Sequence, residues 1–253
     1  MAPFKNPEAS HEHSLKILNL LYEYDSFLDS IETVADFGSG AGLDTLWWAT
    51  LTTRDEPPEP RNYLTYAVDK NIKHLNKDLV ALPNVKAIEA DLDCADVLIP
   101  RQVDFIWCHD VFQYITNPLS TLRTWNHQLH VDGMLMLVFP QYQYYSYNKI
   151  NYESRSLCFY NHNIVNLMYM LAVNGFDCKD AYFKKDDNDP WIYAAVYKSD
   201  IEPMDPKVTT WETLIENNLV NDSVNLCLQK YGYIKQDNLL TKWLDKGLYR
   251  LKE

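Results

Sequence analysis

Three glycines at alternate positions, Gly38, Gly40 and Gly42 in VADFGSGAGLDT (Val34 to Thr45), are the first residues here that suggest a chemistry. Without a Cβ, they let the backbone turn sharply out of a strand and approach a ligand closely. Acids recur around them: Asp36 inside the run, Asp69 at the end of the next apolar stretch, and Asp91 after the one beyond. A carboxylate so placed can accept two hydrogen bonds from a vicinal diol. His109 and Asp110 adjoin at the end of a fourth apolar run and could take a proton from a nucleophile. His11 and His13, in SHEHS, have the spacing of a strand-borne ligand pair. The segment opens a helix (SLKILNLLYEY), however, where positions i and i+2 diverge. A polar helix start is therefore the reading for these two, near whatever the helix covers.

The elements that must position these residues alternate along the chain. Apolar runs at 34–37, 63–69, 85–92, 103–109 and 134–140 read as strands, and those at 34–37 and 134–140 are buried on both faces. Helical patterns separate them at 43–52, 71–82 and 117–130, the last with Pro118 at its start, where a missing N–H costs nothing. A helix near 161–174 and two more strands, CKDAYF and WIYAAVYK, complete the set. Alternation of this kind specifies an α/β fold with a doubly wound, mainly parallel sheet. From about Ser199 the prolines and acids of SDIEPMDPK read as a linker. Apolar residues at helical spacing follow it (Trp211, Leu214, Ile215, Leu219, then Leu239, Leu240, Trp243, Leu244). The expected organisation is a main domain over 1–198, with a helical cover at 1–32, and a linker with a helical C-terminal extension over 199–253. That appendage is expected to pack on the main domain or, as a homo-oligomer contact, on a partner subunit.

Composition narrows the ligand. The 253 residues carry a net charge of −12, from 35 acids against 23 lysines and arginines. Duplex nucleic acid is disfavoured, because neutralised phosphates supply most of that affinity and no basic cluster is present. Five scattered cysteines form no CxxC, so reduced thiols are expected and a cysteine metal site is not. The N-terminus lacks the basic-then-apolar layout of a signal peptide, and no run reaches the ~20 apolar residues of a membrane span. A cytoplasmic protein without a membrane or metal partner is the expectation.

The glycine turn itself discriminates further. A phosphate loop needs Lys-Ser/Thr after its last glycine, and Leu43-Asp44 stands there. A dinucleotide fingerprint needs a small third position, and Leu43 occupies it. A tight strand-to-helix turn without a ligand remains open on these residues alone. VADFGSGAG, however, resembles motif I of the class I S-adenosylmethionine-dependent methyltransferases, and the likeness continues in order through the fifth strand. DFIWCHDVFQYITNPLSTLRTWNHQLHVDGMLMLVFP is similar to the run of strand, short helix and L-x-x-x-x-x-x-L-x-x-G-G in the type 11-like subgroup, which often modifies small molecules.

The resemblance implies a seven-stranded Rossmann-like sheet and S-adenosyl-L-methionine as cofactor. Asp36, Gly38, Ser39, Gly40 and Gly42 would line its methionine and ribose end. Asp69, with Lys70 beside it, would meet the ribose hydroxyls; Asp91 would meet the adenine amino group, and the Leu92 backbone N–H the ring. His109 would pack against the adenine or, with Asp110, serve as a base. The chain departs from the family where Gln113-Tyr114 replaces Glu-His and Asp132-Gly133 replaces Gly-Gly. The first change removes a frequent side chain near the donor methyl. No DPPY or NPPY follows the fourth strand, which counts against exocyclic amines of DNA bases as acceptors. The expected activity is methyl transfer to an O or N atom of a small or medium polar molecule. The tyrosine-rich stretch from Gln141 to Asn163 lies where the family places its acceptor-side insertion (141–160), or is amphipathic cover for the sheet. Two other classes share these residues: a catalytically silent scaffold working through the tyrosines and C-terminal helices, and a nicotinamide-dependent oxidoreductase.

Overall fold

The computed structural model describes residues 7–24, 26–93, 99–140, 162–186 and 189–221. The tyrosine-rich segment as far as 161, and the apolar positions beyond 221, lie outside the described residues.

Helix α1 (Pro7–Tyr24) leads through a 3-10 turn (Ser26–Asp29) into β1 (Thr33–Phe37), whose five residues are all buried. Helix α2 (Leu43–Ala49) follows the glycine turn, then β2 (Leu64–Asp69). The helix expected over 71–82 is broken into a 3-10 turn (Ile72–His74) and a short α3 (Lys77–Val80). Two asparagines break it: the side chains of Asn71 and Asn76 each accept a backbone N–H two residues on and so start a new turn. Next come β3 (Val85–Glu89), β4 (Val103–His109), a 3-10 turn (Phe112–Tyr114), α4 (Pro118–Gln128) and β5 (Leu129–Pro140). Helix α5 (Ile164–Val173), capped by Asn163, precedes the long hairpin β6 (Phe176–Asp186) and β7 (Asp189–Lys198). Thr210 caps the last described helix, α6 (Trp211–Glu216).

The seven strands form one sheet in the order β3-β2-β1-β4-β5-β7-β6. All neighbours through β5 are parallel, and β7 runs antiparallel to both β5 and β6. The order reverses between β1 and β4, which places the crevice of an open α/β sheet at the carboxyl ends of those strands. Alternating side chains send Phe37, Ile106 and Cys108 to one face, with Leu122 and Trp125 of α4 and Leu167 and Leu171 of α5. Val34, Phe105, Trp107 and Met136 pack on the other face against Ile17 and Leu18 of α1 and Trp48 of α2.

The segment after β7 adheres to the first of these faces. Leu214, Leu219 and Val220 are buried in its core, and the Cys178 N–H donates to Leu219 O at 2.8 Å. Before α6, the Met204 N–H donates to Val173 O at 2.8 Å, and Tyr169 Oη donates to the carbonyls of Pro206 and Thr209. Among the described residues, no helix is long and apolar enough to cross a membrane.

Candidate functional site

The glycine turn sits at the switch point because β1 feeds it there. Its amides are pinned to the neighbouring strand: the Gly38 and Ser39 N–H groups both donate to Val68 O, at 2.8 and 3.2 Å. Two of its glycines are required by packing as well as by backbone angle. A Cβ on Gly38 (φ 82°) would lie 2.1 Å from Val111 Cγ2, and one on Gly42 (φ 83°) 2.3 Å from Leu79 Cδ2. Gly40 differs, because a Cβ there would meet only Gly38 O, at 3.9 Å. Space therefore opens above the middle of the turn. Beside it the buried Ser39 hydroxyl has no hydrogen-bond partner among the described residues. Asp69 borders the same space: its Oδ2 accepts the Gly40 N–H at 3.0 Å and its Oδ1 the Asn71 N–H at 2.9 Å. A carboxylate has about four lone-pair sites, so both oxygens can accept further donors.

Asp36 lies beneath the turn, buried on the α2 side, with its Oδ2 accepting the Thr45 hydroxyl at 2.5 Å. Burial above all, then the charges of Asp44 and Asp69, raises its carboxyl well above the ordinary range. Asp36 is therefore a buried acid beneath the loop, facing α2. Asp44, in the first turn of α2, draws three elements together. It accepts the Ser14 hydroxyl at 2.6 Å and the Trp107 indole N–H at 2.9 Å, and bonds His11 Nδ1 at 2.7 Å. Helix α1 is thereby fastened across the carboxyl edge of the sheet.

His11 and His13 do diverge, and both reach the crevice. His13 Nδ1 and His109 Nε2 share a hydrogen bond at 2.8 Å, and His13 Nε2 lies 3.1 Å from the Tyr193 hydroxyl. The rings are layered: Trp107 stacks on His109 at 6°, and Trp191 stacks on His13 at 4.1 Å and on His109 at 5.1 Å. Register explains the meeting. His109 pairs with Val138 and Val138 with Tyr193, while Trp191 pairs with Pro140 at the same sheet edge.

The remaining expected residues border the crevice in other ways. Asp91, exposed after β3, accepts the Asp93 N–H at 3.1 Å, and the Leu92 side chain is buried in the core. The Ala90 N–H donates to Asp69 O, which holds this loop beside the end of β2. Lys70 is exposed next to Asp69. Asp110 adopts φ 62° and accepts Gln113 Nε2 on both its carbonyl and its carboxylate, the latter at 2.7 Å. Gln113 is buried, and its Oε1 has no hydrogen-bond partner among the described residues. Sequence reasoning missed Ser14, Trp107, Trp191 and Tyr193, and weighed Asp44 only as an acid hostile to phosphate. The one local signal was apolar alternation, which marks Trp107 and His109 as sharing a face. Among the described residues, no group of three or more His, Cys, Asp or Glu could hold a metal ion.

No protein-family model and no curated protein sequence matches this chain. Solved structures do. The chain is similar to the S-adenosylmethionine-dependent methyltransferase SibL at 17% identity and a TM-score of 0.52, over 74% of this chain and 57% of SibL. An O-methyltransferase family protein from Burkholderia thailandensis matches at 14% identity and a TM-score of 0.53, over 76% of this chain and 58% of that one. The CurJ carbon methyltransferase matches at 12% identity and a TM-score of 0.51, over 66% of this chain and 48% of CurJ. The chain thus spans about half the length of these structures. With its 3-2-1-4-5-7-6 strand order and its glycine turn at the switch point, it has the class I S-adenosylmethionine-dependent methyltransferase fold.

Proposed function

We propose that the chain binds S-adenosyl-L-methionine over the glycine turn and transfers its methyl group to an O or N atom of a small or medium polar acceptor. The observation that carries this reading is the space above Gly40, bordered by the Asp69 carboxylate and the orphan Ser39 hydroxyl. A bare structural turn has no need of that space; the other two glycines fit their neighbours tightly.

The cofactor, when bound, supplies a methyl group already activated on a sulfonium. The residues of this chain then have to bind, align and manage a proton. Asp69 can accept the ribose hydroxyls, and we assign Asp91 and the Leu92 N–H to the adenine edge. Holding two reactants in line can contribute roughly 7–11 kcal/mol of the barrier, so positioning alone supports substantial rates. His109 and Asp110 are the groups best placed to hold the acceptor's proton, at the carboxyl end of β4. The strongly acidic chain suits a small-molecule acceptor in the cytoplasm better than a nucleic acid. The C-terminal extension is the surface we propose for any self-association.

Isothermal calorimetry with S-adenosylmethionine and S-adenosylhomocysteine tests the reading. The wild type should bind both. Asp69→Ala should weaken binding about 10–100-fold, the equivalent of losing hydrogen bonds to a charged group. Gly40→Arg should abolish binding by filling the space. Absence of binding by the wild type, or undiminished binding by a variant carrying both Asp69→Ala and Gly40→Arg, would overturn the proposal and leave the scaffold reading. Tighter binding of a nicotinamide dinucleotide would instead assign the oxidoreductase class.

A further inference from the structure

We infer that His13, carried on the N-terminal helix, is a positioning residue that orders the proton on His109 and equips it as the base for an O–H or N–H acceptor. The inference rests on the methyltransferase reading above for its purpose, but its geometry stands on its own. Two imidazoles joined by a 2.8 Å N···N hydrogen bond hold one proton between those nitrogens, one donating and the other bare. The Tyr193 hydroxyl, 3.1 Å from the far nitrogen of His13, can donate or accept and so permits either direction.

In one direction His109 Nε2–H donates to His13 Nδ1, and His13 Nε2–H donates to Tyr193 Oη. His109 then carries no proton on Nδ1, the basic tautomer. In the other, Tyr193 donates to His13, His13 donates to His109, and the His109 proton sits on Nδ1. Only the first arrangement gives a base. The Trp107 and Trp191 rings stacked on this pair oppose ring rotation, so a change of direction needs a shift of protons rather than of side chains.

The transfer balances without a further reagent. As the bond from the acceptor O or N to the methyl carbon forms, the carbon–sulfur bond breaks and its electron pair stays on sulfur. The acceptor's proton passes to His109 Nδ1. The resulting imidazolium keeps donating through Nε2–H to His13 Nδ1, which spreads the charge over the pair. Once the product has left, His109 gives this proton up to water from Nδ1, which restores the Nε2–H tautomer; loss through His13 would leave the pair in the second, unproductive direction. Among the described residues, other charged or titratable groups on the elements that carry or adjoin the pair include His11 on α1, Asp36 in β1, Asp44 on α2, Asp110 after β4 and Lys184 of β6. Lys184 Nζ lies 5.3 Å from the centre of the Tyr193 ring.

Nitrogen-15 NMR of histidine-labelled full-length protein tests the pairing, with S-adenosylhomocysteine titration in parallel. In the wild type, His13 and His109 should titrate as one coupled pair whose two steps are separated by more than about one pH unit. His13→Ala should leave His109 titrating singly and remove its preference for the Nε2–H tautomer. His13→Gln, whose amide oxygen can accept from Nε2–H, should restore that preference. Affinity for S-adenosylhomocysteine should stay within about threefold in both variants, since neither changes the glycine turn. Independent titration in the wild type, or an unchanged His109 tautomer in His13→Ala, would overturn the inference. If S-adenosylhomocysteine fails to bind while the pair titrates as coupled, the methyltransferase reading falls and the pair stands. If it binds while the two rings titrate independently, only the pairing falls.

Discussion

Asp44→Ala should unfasten helix α1 before it unfolds the sheet. The carboxylate receives three bonds, from Ser14, His11 and Trp107, and its side chain is only 14% exposed. The losses are unequal. Ser14 Oγ also lies 2.9 Å from His11 O, so its hydroxyl keeps an acceptor after the substitution. The Trp107 indole N–H, on a fully buried ring, keeps none, at a cost of about 1–3 kcal/mol. The part-buried His11 bond adds about 0.5–1.5 kcal/mol. Against these losses, removing Asp44 relieves its repulsion of the buried Asp36 carboxyl. The net expectation is a loss of about 2–3 kcal/mol at neutral pH, read from urea unfolding. Amide exchange supplies the discriminating measurement. Protection should fall first along α1, while α4 and α5 on the opposite face keep theirs. A loss below about 0.5 kcal/mol would refute the reasoning, because a surface acid gives that much without any buried partner. Uniform loss of protection over both faces would refute the claim that Asp44 acts through α1.

Asp36→Asn should become progressively more stable than the wild type as pH rises. A carboxyl raised by folding holds a proton that the unfolded chain releases, so its stabilising share is present at low pH and lost upward. Melting temperatures across about pH 4 to 8 check this, and a constant difference between the two proteins would contradict it. His162 acts at the other end of the range. Burial against Phe112 and Phe139 lowers it to about 4, so the unfolded state takes up the proton first and stability falls as pH drops from about 6.5 toward 4. His162→Phe should flatten that acid limb. Gly38→Ala should cost about 2–4 kcal/mol, from left-handed strain plus the clash with Val111, whereas Gly40→Ala should cost only the strain, about 1–2 kcal/mol. Denaturant midpoints separate the two; equal losses would mean that the space above Gly40 is not real.

Much of the fold could be read from local pattern, because its central strands are buried on both faces. Runs such as VADF and MLMLVFP have few other stable places, and the helices between them fix the parallel order. The break within 71–82 was harder to see: Asn71 and Asn76 sit among good helix residues, and only their side chains' bonds to the backbone divide the segment. Half of the site was equally local. The glycine turn and Asp69 announce themselves because each lies at the end of its own strand. The other half was not, since His13 meets His109 only when α1 has been laid over the sheet and β7 inserted beside β5. A periodicity argument cannot see a bond that spans the chain from α1 to β4. Nor did the prolines and acids after Ser199 hint at the carbonyls that segment offers to Tyr169 and Arg123.

The insertion of β7 between β5 and β6 has a consequence for the chain while it is being made. The ribosome delivers β6 first, yet β6 has no partner in the finished sheet until β7 arrives. Throughout that interval the outer edge of β5, whose Met134–Pro140 run is wholly buried in the native protein, stands open to other nascent chains. Closing it is still not enough. The apolar surface of α5 and β6 is covered only when Leu214, Leu219 and Val220 have emerged. Synthesis at about 5–20 residues per second leaves several seconds of exposure. Slow codons or a stall between β5 and α6 should therefore harm the yield of soluble protein far more than the same delay before β1.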